Sequence, residues 1–394
     1  LAAAGWDQRD LNVLASPAQG IREIFDLMPT ANEHDWAIIA RKLGNVAGAL
    51  EGYTETLREG MAAGNTPARR QVIEVLEQAR RNAASDGFFP EFAAEAAIDG
   101  GDVPSSLRTD LARNAAAAAE TYSTFATFLE TELTPAAREH DAVGRDLYSL
   151  MSRRFLGASI DLDETYEWGI GELARMVEEQ TRIAGEIVPG ASVDEAIAHL
   201  ENDPSRKLHG RDALKAWMQN LSDTAVDELS RTHFEIPEPV KRLECMIAPT
   251  PGGAIYYTGP TDDFSRPGRM WWSIPDGVDE FDTWRETTTV YHEGVPGHHL
   301  QIGQAVYNRA QLNSWRRLLA GTSGHAEGWA LYAERLMEEL GYLDDPADKL
   351  GMLDGQRMRA ARVVLDIGVH LGKIHPETGQ VWTSDDAFAF MRKN

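Results

Sequence analysis

Residues 107–133 read LRTDLARNAAAAAETYSTFATFLETEL. Alanine is the strongest helix former, and its weight over this length predicts one long helix. The alanine block at 115–119 is expected to serve packing in a crowded bundle. Outward from it the pattern repeats. Residues 32–61 place Trp36, Ile39, Leu43, Ala47 and Leu50 at helical spacing. Thr66-Pro67 predicts a cap and first turn, followed by a helix through Val72, Val75 and Leu76 toward Ala84, and Thr134-Pro135 predicts another such start. Further helices are expected at 163–187, at 192–200 behind a capping box of Ser192 and Glu195, and at 211–233. Near Pro237 the texture changes. Residues 242–248, the Ala254-Ile255-Tyr256-Tyr257 stretch after Gly252-Gly253, and 270–274 are short aromatic or aliphatic runs bounded by Gly and Pro, which predicts a small sheet. Helices resume near Phe281. The expected fold class is therefore mainly α: a large multi-helix domain with a small β-sheet. Residues 1–235 are expected to be a helical region and 236–394 to hold the sheet and the later helices, within one continuous domain.

The chain has 394 residues and a formal net charge of −24, a surface that repels phosphate backbones and anionic lipid. Nucleic acid and membrane surfaces are thereby excluded as partners, whereas short peptides are not. No apolar run approaches the roughly 18 residues of a membrane span. Cys245 is the only cysteine, which excludes an internal disulfide and a cysteine-based zinc site. It fits a reducing compartment and favours the cytoplasm. The chain opens Leu1-Ala2-Ala3-Ala4 without methionine, so a processed or truncated piece is expected and export stays open.

Chemistry concentrates in residues 287–301, TTTVYHEGVPGHHLQ, with three of the eleven histidines within eight positions. Imidazole is a common zinc ligand, and the carboxylate of Glu293 beside His292 suits a base that takes a proton from water. The common zinc-protease pattern places a second histidine four residues after the first, on the same helical face; here that position is Pro296. On an unbroken helix, His298 would sit about 600° of rotation away. His299 would return to the face but about 10.5 Å along the axis, too far to share an ion. Pro296-Gly297 offers the remedy, because proline removes a helical hydrogen bond and glycine admits unusual backbone angles, so two residues would loop out between the ligands. His298 is preferred over His299 as the second ligand. A third is needed. Glu327 stands 29 residues after His298, with His325 and Glu334 as competitors. Glu334 lies seven residues further on the same face and would orient a histidine. Trp271, Trp272 and Trp329 read as core or cleft wall, and Arg357, Arg359 and Arg362 as a basic stripe.

HEGVPGHHLQ, then EGWALYAERL, then RMRAARVVLDIGVHLG at 357–372 together resemble the bacterial family catalogued as domain of unknown function 885, and Phe25-Asp26-Leu27-Met28-Pro29 extends the likeness toward the start. That family looks like a distant relative of the gluzincin metallopeptidases, whose helical members include carboxypeptidase Taq, oligopeptidases and angiotensin-converting enzyme. The resemblance implies one Zn2+ per chain held by His292, His298 and Glu327, with Glu293 as general base carrying a proton from water to the leaving amine of a short peptide. It also implies a gluzincin-like active-site cleft beside the small sheet, with residues 1–235 as one wall and 236–394 as the catalytic region. It implies further that the strand at 253–257 lies along the cleft, and that Tyr256, Tyr257, His370 and Arg362 polarise the carbonyl or hold a substrate carboxylate. Family members carry further helices beyond this segment, including a tyrosine motif, so the chain's end is expected to be missing after a helix at 382–391. Two other classes stay open: a non-catalytic metal- or peptide-binding protein on the same fold, and a metal-dependent amide or ester hydrolase.

Overall fold

In the computed structural model, which describes residues 4–99, 101–248 and 255–394, the chain is 66% helix and 7% strand, as the mainly helical reading requires. It divides into two units, 1–143 and 144–394. Helices that the sequence grouped with the first region, from Arg145–Leu156 onward, thus belong to the unit that carries the histidine motif.

The first unit is helical. Its helices α1 (Glu33–Leu43), α2 (Val46–Ala62), α3 (Arg69–Ala83) and α4 (Ser105–Phe128) enclose an apolar core that includes Ile39, Leu50, Leu57, Val72 and Leu111. The single run expected at 32–61 is broken at Gly44-Asn45, where Asn114 of α4 donates to the Ala40 carbonyl at 2.8 Å and occupies an acceptor at the end of α1. The helix expected after Thr66-Pro67 begins only at Arg69, because the Thr66 hydroxyl is taken by the Arg138 amide, 3.2 Å away. Along α4, Leu111, Ala115, Ala118, Tyr122 and Phe125 are buried, one side of the cylinder. The helix then widens into a π turn at Leu129–Leu133 and ends with Thr134–Ala136. Thr134-Pro135 therefore closes this helix instead of opening another. Pro135 has no N–H to give, and a locally widened turn is one of the few ways a helix accommodates that loss.

In the second unit, α5 (Leu162–Ile187) and α6 (Arg211–Thr232) precede a three-stranded sheet of β1 (Leu243–Ile247), β2 (Tyr256–Thr258) and β3 (Gly268–Trp272). The order is β1-β3-β2, with β1 parallel and β2 antiparallel to β3. Residues 249–254, including part of the expected strand at 253–257, lie outside the described residues. Leu243, Cys245, Met270 and Trp272 point to one face and pack with Leu214, Met218 and Val290, so the sheet is seated between α6 and the helix that carries His292. A two-stranded pairing of Lys207–His209 with Glu280–Asp282, absent from the sequence reading, claims Phe281 as strand.

The helices that follow include α7 (Thr283–Glu293), α8 (His298–Tyr307), α9 (Ser323–Glu339) and α10 (Pro346–Leu371), with a short helix at Ser314–Leu318 between α8 and α9 and a last one at Ser384–Lys393. No helix among the described residues is long and apolar enough to cross a membrane. The α7–α10 crossing is unusually close: a Cβ on Gly351 of α10 would fall inside the van der Waals shell of the Trp284 carbonyl. A helical glycine replaced by alanine ordinarily gains stability, but overpacking a close crossing costs about 1–3 kcal/mol. Gly351→Ala is therefore expected to destabilise by that amount in denaturant unfolding. Gly171→Ala, at an exposed position of α5 with open space around it, should be neutral or stabilising.

Beside that crossing, burial pushes the Asp348 carboxyl up to about 7, with Asp345 adding to the rise and Arg206 and the Thr287 hydroxyl opposing it. A folded pKa above the unfolded value of about 3.9 means stability that is present below pH 4 and lost as pH rises through 7. Asp348→Asn should raise the melting temperature at pH 8 and leave it near wild type at pH 4. A variant whose advantage does not grow between those limits would contradict this assignment.

Candidate metal centre

The helix α7 ends at Glu293 and α8 starts at His298. Between them Gly294-Val295-Pro296-Gly297 forms a tight bend containing a cis Val295–Pro296 bond. Gly297 passes so close to the His292 carbonyl that a Cβ there would overlap it, which explains the glycine. The bend is anchored from Gly297 N–H to the Tyr291 carbonyl at 3.1 Å, from His299 N–H to the Gly294 carbonyl at 3.1 Å, and from the Trp329 indole of α9 to the Pro296 carbonyl at 2.8 Å. The two additional residues thus loop out, and His298 turns back toward His292, with ring centroids 4.8 Å apart and planes at 87°.

Glu327, in the second turn of α9, completes the cluster. Its carboxylate lies 3.4 Å from His292 Nε2 and 3.7 Å from His298 Nε2. Two metal bonds of about 2.0–2.1 Å at a tetrahedral angle set their ligand atoms about 3.3–3.4 Å apart, so these separations suit one small divalent cation. His292, Glu293 and His298 also each offer an atom within 4.8 Å of the others, and all three are buried. The Glu327 side chain is 54% exposed, which leaves this side of the cluster open to solvent.

The electrostatics agree with a cation position. Burial works against a charged His292, yet hydrogen bonds to Glu327 and Glu334 outweigh it and push its pKa up to about 9. The carboxylates thus favour positive charge at this point. Burial, reinforced by the His292 charge, pushes His298 down to about 4, so it is neutral beside a charged His292. Burial also raises Glu293 to about 7, with His292 opposing and Glu327 adding. Among the described residues Glu293 Oε2 is buried without a hydrogen-bond partner, as a carboxylate reserved for a water or substrate proton would be.

Behind His292, Glu334 is fully buried and accepts from His292 Nδ1 at 2.7 Å, which turns Nε2 toward Glu327. Gln356 of α10 donates to the other Glu334 oxygen at 3.3 Å, and Arg335 fixes Gln356 from its far side at 2.7 Å. Trp329, which the sequence reads as core or cleft wall, is partly buried and anchors the bend, and Gln356, to which the sequence assigns nothing, enters through the packing of α9 and α10.

The remaining candidates differ in their surroundings. His299 is committed: its Nε2 donates to the Val240 carbonyl at 2.6 Å, so Nδ1 accepts from the Tyr257 hydroxyl at 2.9 Å. The Tyr257 hydroxyl proton is thereby engaged, and its ring lies beside His298 with centroids 6.5 Å apart. Tyr256 is partly exposed and stacks on Trp271. His325 is exposed in the first turn of α9. Arg362 is exposed on α10, and His370 lies near its end, 3.5 Å from Asp366 and against Tyr148. At 1.5 Å per residue His370 stands about 16 Å along the axis from Arg359, which with Gln356 meets Glu334 from α10.

A family model described as "Bacterial protein of unknown function (DUF885)" matches residues 1–394. The crystal structure of "the putative lipoprotein from Colwellia psychrerythraea" superposes with a TM-score of 0.79 at 22% identity, covering 98% of this chain and 67% of that one. A second, "a putative lipoprotein of unknown function from Shewanella oneidensis", gives 0.60 at 17% identity, covering 100% and 73%. At such identities the likeness is one of fold. No curated protein matches.

Tyr257→Phe would leave the buried His299 Nδ1 without its donor, a loss of about 1–3 kcal/mol. Denaturant unfolding is expected to register it; an unchanged midpoint would mean that the hydroxyl does not serve His299.

Proposed function

This chain belongs to the bacterial DUF885 family, and from the geometry of its histidine–glutamate cluster we propose that it is a zinc-dependent metallopeptidase, related to the gluzincins, that hydrolyses short peptides. The observation that carries the proposal is the convergence of His292 Nε2, His298 Nε2 and the Glu327 carboxylate at separations of 3.4 and 3.7 Å, beside the unpartnered Glu293 oxygen. Two imidazoles and a carboxylate are a donor set that suits zinc. Zinc in such a set supplies Lewis-acid polarisation and lowers the pKa of water. His292, oriented by Glu334, and His298, held by the bend, would be its nitrogen ligands. Glu327 would bind from the solvent side. Glu293 would take a proton from the attacking water and hand it to the departing amine, a task suited to a carboxyl poised near neutrality.

Elemental analysis of the purified protein should find about one zinc per chain, strongly reduced in Glu327→Ala. Glu334→Gln should retain the fold and lower zinc affinity roughly tenfold to hundredfold. Glu293→Gln should keep the metal and lose peptide turnover by about 10²–10⁴, with chelator abolishing wild-type activity. No metal uptake even with added zinc would refute the proposal. Metal without turnover of any peptide would leave a binding protein, and turnover of esters alone a different hydrolase.

A further inference from the structure

The solvent-open side of the cluster continues into apolar surface. Gly324 and Glu327 stand three residues apart on α9, so their side-chain positions share a face and lie about 5–6 Å apart. A helical side chain leans back over the turn before its own Cα, which for Glu327 is the turn of Gly324. A Cβ on Gly324 would lie 2.9 Å from Leu156 Cδ2, 3.0 Å from Leu156 Cα and 3.4 Å from the Phe155 carbonyl. In series, these separations put Leu156 Cδ2 within about 9 Å of the Glu327 Cβ. A Cβ on Gly157 would likewise lie 2.9 Å from Thr322, the residue that caps α9. The end of the helix Arg145–Leu156 is thus pressed against the first turn of α9, and the missing side chain at 324 is what admits it. Of that helix only Leu147 is buried. Phe155 is 51% and Leu156 41% exposed, with Ile160 exposed just beyond, and the exposed Leu318 and Leu319 lead into Thr322 from the other side. Large apolar side chains gathered in the open mark a surface that receives a ligand.

Resting on the peptidase reading, we propose that Leu156 and Phe155 receive a large apolar side chain of the peptide substrate, close to the bond that is cut, and so select the peptides this chain takes. Two features name the occupant. The patch begins one helical turn from Glu327, whose side chain is itself open to solvent, so it is continuous with the proposed metal centre. A chain of net charge −24 repels a second copy of itself, whereas an uncharged side chain meets no such repulsion. Extended residues advance about 3.3–3.6 Å each, so a reach of about 9 Å spans two or three of them. The apolar residue is thereby confined to those that flank the cut. Leucine or phenylalanine at that place removes its own apolar surface and that of Leu156 and Phe155 from water together. Alanine covers little of either.

The test uses zinc-loaded Glu293→Gln protein, which should bind peptides without consuming them. An alanine pentapeptide and its relatives carrying leucine or phenylalanine at one position at a time are titrated calorimetrically. At one position the large apolar residue is expected to bind roughly tenfold more tightly than alanine. Adding Leu156→Asn, alone or with Phe155→Asn, should bring that ratio close to one, and Leu156→Met should keep it. Leu150→Asn, on the same helix about 9 Å further from α9, should also keep it. Zinc content and sedimentation are measured on every variant. Equal binding of all the peptides, or a preference that survives the double variant, overturns the Leu156 assignment alone. Loss of zinc from both Leu156→Asn and Leu156→Met also overturns it and assigns this helix end to holding α9. A dimer that Phe155→Asn dissolves overturns it as well and gives the patch to a second copy. Failure of every peptide to bind protein shown to contain zinc overturns the peptidase reading with it.

Discussion

The hydrogen bond between His292 Nδ1 and Glu334 joins three helices at one buried point. Glu334 is fully buried on α9, His292 closes α7, and Gln356 of α10 holds the second carboxylate oxygen. An unpaired carboxylate in that position would carry a desolvation cost of several kcal/mol, so the three helices are tied to one another through the side chain that aims the histidine. The close α7–α10 crossing at Gly351, five residues before Gln356 on α10, and the Arg335–Gln356 contact restrict how far this point can shift. Orientation of the site and packing of the second unit are therefore one problem for this chain.

The bend between His292 and His298 solves a different one. A metal site built on a continuous helix needs ligands one turn apart; here they are six residues apart. The Gly294–Gly297 loop removes the excess, and Trp329 anchors it from the helix that also carries Glu327. One short stretch of α9 thus supplies the exposed carboxylate and steadies the loop that presents its imidazole partner.

Much of this is legible in the sequence wherever the rule involved is local. Ser192 and Glu195 form the capping box that their spacing announces, and Pro296-Gly297 breaks the helix where it should. Local rules fail where distant groups intervene. Gly44-Asn45 splits a periodic run because Asn114 reaches it from another helix, and Thr66 does not cap because Arg138 has claimed its hydroxyl. The parallel pairing of β1 with β3 joins residues about 25 apart and has no marker in either strand. His299 illustrates the same limit within the motif: its letters match those of a ligand, and only Val240 and Tyr257 reveal that both its nitrogens are taken.

The five alanines at 115–119 look interchangeable as letters. In α4 they are not: Ala115, Ala118 and Ala119 face neighbouring helices, while Ala116 and Ala117 face solvent. A close-packed interior has no room for an added methylene at the first three, whereas the other two meet only water. Descendants of this gene can therefore drift freely at 116 and 117 into almost any helix-compatible residue, and 115, 118 and 119 should persist as small residues long after the run has ceased to look like one.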